Sequence, residues 1–519
     1  MPVTGGTTAA SGRGLAIIGA AFRDPRRALL VTVVALSAIP TLDVLGDPDL
    51  WWHIRAGRWI LDNRAIPRTE MFTYTAAGNP WTAHEWGSEV LFALLSSAGG
   101  ALLLALVMAA VTWSGLWALA LRARDRGAGL GVGAAAMLLG ARAMQPVAGT
   151  RPQMITFALC CWSLLIAERH LARGGRGVWL LPPMAAVWAN LHAGFLFGIG
   201  LVAAVAAVEG MSIVLRRPGS APRRRVVELG AVAAASLAAS CLNPSGPALI
   251  GYALRLTHEV SALPIVEWMR PDLLSWGLAA GDVLALSLVV LVVRLRGAGL
   301  PLRDLVLPAA AGVAALLAVR NLAVLVAVAT PAWAAAVERA MEAVRARQSP
   351  RTRRGSPAAP DHRPAPAVAL AVLAAGALAL AATGLRAAQA ASPAGVAAAE
   401  PVCAATVLAR SPHSLRVFAP YATSGWLVGR LWPQVRVYDY GELLAPGPQV
   451  LADDIRIASG DVTALDLLDR SATDAAVVPD GALTTRLDGA PGTWHRVLTD
   501  PAGFALYTRG APAWATSGC

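Results

Sequence analysis

The sequence predicts an α-helical polytopic membrane protein of about eleven transmembrane helices, with a small C-terminal extracytoplasmic α/β domain. Three observations carry this reading. The first is composition: 56% of the 519 residues are hydrophobic and only 15% are charged, where a soluble domain carries about a quarter charged residues. The second is that apolar runs near the length of a membrane span recur between residues 28 and 386, separated by short arginine-rich patches. The third is a change over residues 400–519, where 9 Arg face 12 Asp and Glu and short apolar runs alternate with a helical pattern. The formal charge of +12 raises nucleic acid as a partner. The placement of the arginines between apolar runs assigns that charge to membrane topology instead. The chain has no lysine.

Residues 1–27 form a cytoplasmic tail. Arg13, Arg23, Arg26 and Arg27 precede the first apolar run and no small-residue cleavage site follows, so this run reads as a start-transfer anchor. The transmembrane domain extends over 28–344. Its first span, 28–46, leads into a large outer loop, 47–89. Within that loop, 50–63 has apolar and aromatic residues at helical spacing, with Trp52, Ala56 and Trp59 on one face and His53 and Arg55 off it. That pattern suits an interfacial helix. A second is expected from Glu85 to Ser97. Further spans are expected at 100–121, 128–147, 153–167, 178–190, 193–215, 226–242, 277–294, 304–319 and 321–337, with a second long outer loop at 243–276. A Pro/Arg-rich cytoplasmic linker, 345–365, precedes the last span, 366–386.

With the N-terminus inside, the cytoplasmic connections 122–126, 168–176, 216–225, 294–303 and 338–363 carry net charges of +2, +2, +5, +3 and +4. All are positive, as the positive-inside rule requires, and a shift by one span breaks the pattern. The expected location is therefore the plasma membrane, multi-pass, with the domain at 400–519 outside. Strands are expected at 415–419, 435–440, 475–479, 494–498 and 504–508, with a helix at 462–470. No Gly-rich phosphate fingerprint occurs there. Of five cysteines, Cys160, Cys161 and Cys241 fall in apolar runs. Cys403 and Cys519 both lie on the outer side, and their pairing is left open.

Mapped onto this topology, polar residues far apart in sequence collect at the outer boundary: Asp47, Asp49, His53, His84, Glu85 and Glu89 in the first loop; Arg151 and Gln153 at the next turn; Asn190 and His192 at the third; Asn243, Glu267 and Asp272 in the fourth; Arg320 and Asn321 at the fifth. Ionisable groups at that depth are costly and mark function. Each has a plainer reading: a helix cap for Asp47, a solvated loop for His84, snorkelling for Arg151 and Arg320, turns for Asn190 and Asn243. All must hold together to remove the site. There is no HExxH, Walker A or GxSxG sequence.

The segments DPDLWWHIRAGRWIL, PWTAHEW, RPQMITF, WANLHAGF, LNPSG and IVEWMRPD, with the tail's ATSGWLVGRLWPQVRVYDYG, resemble a bacterial multi-span group of the GT-C superfamily of membrane glycosyltransferases. The resemblance implies a polyprenyl-phosphate-linked sugar donor. It also implies an acid at the start of the first outer loop, Asp49 or Asp47, as base or acceptor-positioning group, and arginines, Arg320 and Arg151, on the donor phosphate. The adjacent Asp-Glu pair of protein mannosyltransferases is absent: Pro48 separates Asp47 from Asp49, and the glutamate comes later as Glu85. The expected catalytic set is Asp49, Asp47, His84 and Glu85. The expected substrate-binding set is Arg320, Arg151, His53, His192, Asn190, Asn243, Glu267 and Trp52. A divalent metal is left open, with Mg²⁺ or Mn²⁺ suited to the oxygen-rich set and His admitting Zn²⁺. The expected activity is inverting hexosyl or pentosyl transfer to a lipid, glycan or protein acceptor of the cell envelope. The expected partners are the lipid donor and membrane lipids; no nucleic acid is expected, and protein partners are unassigned. The competing classes are a transporter or lipid flippase, which needs a mid-membrane cluster from Asp43, Arg142, Glu209 and Asp282, and a non-catalytic scaffold with an outer binding domain.

Overall fold

The computed structural model describes residues 24–43, 46–260, 266–271, 279–294, 300–348, 366–442, 444–516 and 518. Most of the expected N-terminal tail and of the 345–365 linker, together with Asp272 and Cys519, lies outside them. Each apolar segment of the membrane domain is helical. They form α1 (Pro25–Leu36), α3 (Trp86–Asp125), α4 (Leu130–Met144), α5 (Gln153–Arg173), α6 (Leu181–Trp188), α7 (Phe195–Val214), α8 (Arg223–Ser240), α10 (Ala279–Arg294), α11 (Arg303–Leu317), α12 (Leu322–Gln348) and α13 (Pro366–Ala390). In the two long loops lie α2 (Leu50–Asn63) and α9 (Ala248–Val260). Among the described residues five helices are long and apolar enough to cross a membrane: α3, α5, α7, α13 and the one running Val319–Ala346. The chain is a multi-pass membrane protein.

At 40 residues, α3 is longer than a bilayer core needs. It breaks at Gly99 and Gly100, where Gly100 adopts a left-handed φ of 68° that other residues resist. The break separates the amphipathic stretch beginning at Trp86 from the apolar stretch that follows. Against that first stretch lies α2. An added Cβ at Gly57 would sit 1.9 Å from the Glu89 carbonyl oxygen, so only glycine permits this approach. On its other side α2 meets the C-terminal unit through Trp52 and Ala56, both buried. His53 was expected off the buried face. It is 3% exposed instead, because α2 is covered on two sides rather than one.

The C-terminal unit begins with α14 (Pro393–Ala399) and α15 (Val402–Leu408). It continues β1 (Leu415–Phe418), α16 (Tyr421–Leu431), β2 (Val435–Val437), α17 (Pro448–Ala458), α18 (Ala464–Arg470), β3 (Ala475–Pro479), α19 (Ala482–Asp488), β4 (Trp494–Thr499) and β5 (Phe504–Arg509). All five expected strands are present, in the order β2-β1-β3-β5-β4. The first three are parallel and β5 is antiparallel to β3 and β4. The edge of β2 is closed by the 47–89 loop: Val437 donates its N–H to the Phe72 carbonyl at 3.0 Å and accepts from the Tyr74 N–H at 3.1 Å. An edge strand with open backbone groups needs such a cover. Cys403 is disulfide-bonded, whereas Cys160, Cys161 and Cys241 are free.

At the ends of the helices remote from this unit, charges expected on solvated loops are partly internal. Arg122, 1% exposed, pairs with Glu168 at 2.6 Å and donates to the Ala327 carbonyl. Arg126 joins Glu168 at 2.6 Å to Asp304 at 2.9 Å, and Arg303 pairs with Glu209. Arg122 and Arg126 therefore clamp α3, α5, α11 and α12 together. Removing one partner of a buried pair strands the other charge, at about 3–5 kcal/mol. Glu168→Ala should therefore lower the melting temperature in detergent far more than Arg169→Ala, whose side chain is 40% exposed and pairs at the surface with Asp125. Equal losses would mean that the buried quartet does not hold these helices.

Candidate active site

The turn Asp47-Pro48-Asp49 opens the site. Asp47, 3% exposed, uses one carboxylate oxygen to accept the Asp49 N–H at 2.9 Å, which fixes the turn before α2. Its other oxygen pairs with Arg151, and Arg151 pairs in turn with Glu267. Burial disfavours the Arg151 charge, but Asp47 and Glu267 outweigh it and hold the guanidinium firmly protonated. Burial likewise pushes Glu267 up, and Arg151 brings it below the usual carboxylate range. A polar cavity of about 250 Å³ opens beside this bridge, lined by Asp43, Asp47, Gln145, Gly149, Arg151 and Glu267 among others.

Asp49 has a different environment. Its Oδ1 accepts from Trp52 Nε1 at 3.0 Å and lies 3.5 Å from the Tyr421 hydroxyl. Among the described residues no hydrogen bond reaches its Oδ2. Burial first, then the Asp47 charge, raise its pKa to about 6, although His53 and Arg151 pull the other way. Such a carboxylate is poised to take a proton near neutral pH. Arg320 stacks on the Trp268 ring at 4.0 Å, a cation–π contact, and no ion pair engages it among the described residues.

Three imidazoles converge on Glu85. His84 lies 3.3 Å from Glu85 Oε1, His53 3.4 Å from Oε2 and His192 3.3 Å from Oε1. Their partners fix their protons. His84 Nδ1 faces the Thr82 carbonyl at 3.3 Å and must donate there, so both of its nitrogens carry hydrogen. Burial opposes this charge, but Glu85 raises the His84 pKa to about 9. His53 stands between Glu85 and Glu89, which outweigh burial and raise it too. His192 is the reverse. Its Nδ1 accepts the Gly194 N–H at 2.9 Å and meets the Thr156 hydroxyl at 2.8 Å, while Thr156 takes the Trp188 indole N–H. The ring is therefore neutral with its proton on Nε2, aimed at Glu85. Burial lowers its pKa to about 4, with His84 and Arg320 adding to that against Glu85. Glu85 is held below the usual carboxylate range because His84 and the other imidazoles overcome burial.

This arrangement does not fit a metal held by His84 and Glu85. The imidazole nitrogens facing Glu85 donate to it, and Asp47 is occupied by Arg151 and a backbone N–H. Among the described residues no group of three or more His, Cys, Asp or Glu is arranged to hold a metal ion. Asn190 and Asn243 serve the backbone. Asn190 accepts from Trp86 Nε1 at 2.9 Å and donates to the Ala186 and Leu242 carbonyls. Asn243 ties its own turn through Ser240, Ser245 and Gly246. Trp52 is buried beside Asp49. The expected residues thus form two adjoining groups, an Asp47–Asp49–Arg151–Glu267 group and a histidine–glutamate group, with Arg320 bearing electrostatically on Glu267, Glu85 and His192.

The C-terminal unit closes the site in a way the sequence did not reveal. An added Cβ at Gly441 would lie 1.8 Å from Asp49 Oδ1 and one at Gly425 2.3 Å from the Pro48 carbonyl. Tyr252 packs on His84 with ring centroids 4.8 Å apart and donates to Glu442 at 3.1 Å. Gly441→Ala should displace Asp49 and cost about 1–3 kcal/mol, read as a drop in melting temperature that Gly492→Ala, with open space around it, does not show. A second expectation concerns pH. Because the folded-state pKa of His84 is raised, the stability it contributes is complete below the ordinary imidazole range and is lost as pH rises through about 9. The wild-type melting temperature should therefore fall between pH 8 and 10 by more than that of His84→Gln; parallel curves would refute the charged assignment.

No protein-family model matches the chain, and no curated protein matches it. Among solved structures, the oligosaccharyltransferase of Archaeoglobus fulgidus tethered to an acceptor peptide matches over 93% of this chain and 74% of that one, at 13% identity and a TM-score of 0.57. Its apo form matches over the same shares, at 13% identity and 0.53. ArnT from Cupriavidus metallidurans bound to undecaprenyl phosphate covers 98% and 100% at 15% identity, with a TM-score of 0.49, too low to bear on the reading. At these identities the likeness concerns the fold: the chain has the fold of the GT-C membrane glycosyltransferases.

Proposed function

We propose that the protein is a GT-C-type glycosyltransferase that moves one sugar from a polyprenyl-phosphate-linked donor to a lipid, glycan or protein acceptor on the outer face of the membrane. The observation that carries the reading is Asp49: half-buried, raised to about 6, without a hydrogen bond on Oδ2 among the described residues, and held by Asp47, which with Arg151 lines a polar cavity. In the reaction Asp49 takes the proton of the acceptor group as its lone pair attacks the anomeric carbon. The bond from that carbon to the donor phosphate breaks on the opposite face, and its electron pair leaves on phosphate. Arg320, with no ion pair among the described residues, is the cation best suited to that phosphate, since guanidinium offers a paired donor edge that stays charged. Arg151 is already matched by two acids and serves to hold Asp47 in place. The histidine–glutamate group supplies a fixed electrostatic background and, with Tyr252, an aromatic wall.

Two observations favour this over a transporter. Asp43 lines the cavity, whereas Glu209 pairs with Arg303. Arg303 opens α11 and Arg320 follows its far end, so those two groups are about 22 Å apart along a helix of 15 residues. A mid-bilayer cluster needs Asp43 and Glu209 together.

The test is transfer of labelled sugar from polyprenyl phosphate in membrane vesicles. Asp49→Asn should lower the rate by about 10²–10⁴-fold with the fold retained, and Arg320→Ala should weaken donor binding. The wild-type rate should climb with pH through about 6, as Asp49 becomes ionised. Full activity in both variants would falsify the assignment.

A further inference from the structure

We propose that Tyr421, brought by the C-terminal α/β unit, is a positioning residue for Asp49: its hydroxyl holds Oδ1 so that Oδ2 is the oxygen presented to the reacting acceptor. The role in transfer rests on the glycosyltransferase reading; the contact itself does not.

Several independent features fix Tyr421 there. It is the first residue of α16, and its backbone N–H donates to Asp454 at 3.3 Å, a carboxylate only 2% exposed. The Ser424 hydroxyl ties the first turn to the Ala419 carbonyl at 2.8 Å. Gly425 lets α16 lie directly on the Pro48 carbonyl, and Gly441 lets the following loop lie on the Asp49 carboxylate. Two glycines, on separate segments, thus clasp the turn that carries Asp49. From this seat the Tyr421 hydroxyl lies 3.5 Å from Asp49 Oδ1 and faces Glu267, Asp47 and Arg151 as well. Burial and the surrounding acids keep the phenol protonated, so it can only donate to Asp49. Trp52 donates to the same oxygen from α2 at 3.0 Å. Two donors on Oδ1, one from the membrane domain and one from the C-terminal unit, leave Oδ2 as the oxygen without a hydrogen bond among the described residues. A separation at the outer limit of hydrogen bonding is what a catalytic contact shows before substrate tightens it.

A donor to a carboxylate stabilises its charged form, so losing the Tyr421 hydroxyl must raise the Asp49 pKa. The full chain in lipid nanodiscs is titrated by infrared difference spectroscopy. The Asp49 carboxyl band is identified by subtraction of Asp49→Asn, in wild-type and Tyr421→Phe backgrounds. The midpoint should move up by roughly half a unit or more in Tyr421→Phe. Replacing tyrosine with 3-fluorotyrosine at 421, which keeps the shape and strengthens the donor, should move it down, and this second form covers the case in which Tyr421→Phe does not fold. A midpoint that stays still in either background overturns the proposal, because a ring that only fills space has no such effect. In the transfer assay, Tyr421→Phe should lower kcat, shift the acid limb upward and leave the donor KM unchanged. An infrared shift without any transfer by wild type keeps the contact and removes the transferase reading; transfer without an infrared shift does the opposite.

Discussion

Arg151 is the group on which the geometry of the site depends. It lies between Asp47, at the end of the first apolar segment, and Glu267, in the second long loop. A buried guanidinium is tolerable only when opposing carboxylates and hydrogen bonds surround it. That requirement draws together three stretches separated by more than a hundred residues each. Asp47, pinned by Arg151, receives the Asp49 N–H and so decides where α2 begins and which way Asp49 faces. Glu267 carries Trp268 with it, and Trp268 seats Arg320.

The division of labour among the ionisable groups follows from charge matching. Two imidazolium rings, His53 and His84, stand against two carboxylates, Glu85 and Glu89, and His192 adds a neutral donor. The Arg151 bridge sets one guanidinium against two carboxylates, Asp47 and Glu267. At the site, Asp49 has no hydrogen bond on Oδ2 and Arg320 has no ion pair among the described residues. They are also the pair a transfer reaction needs, one to accept a proton and one to receive a phosphate.

Two bodies meet at this point. The Arg122–Glu168–Arg126–Asp304 quartet fastens the helices at their far ends, while the near ends are free to diverge around the cavity. The C-terminal unit lies on the Asp47-Pro48-Asp49 turn. It does so through a strand edge shared with the outer loop and through glycines that admit backbone-to-carboxylate contact. The outer loop, long for a connection, is ordered because both bodies use it.

Legible in the residues alone were the helices of the membrane domain, the five strands of the tail and a candidate set of polar residues. Hydropathy, alternation and residue type are local properties, and each of those features is set by a few neighbouring positions. The sequence also placed Asp47, Asp49, Arg151, His84, Glu85 and Glu267 in one candidate group, because costly residues at one membrane depth are legible from topology alone. What it left undecided was which of them engage each other. Arg122 and Arg126 read as solvated loop charge, yet Arg122 is buried and Arg126 is paired with Glu168 and Asp304; His53 read as lying off the face of Trp52 and Ala56 and is enclosed on its own side; Asn243 read as a site residue and ties a turn. Tyr421 and Gly441 gave no signal, since a tyrosine and a glycine in a distant α/β unit acquire meaning only when that unit rests on Asp49. Pairing, tautomer and pKa are properties of the space around a group, and only the tertiary structure supplies that space.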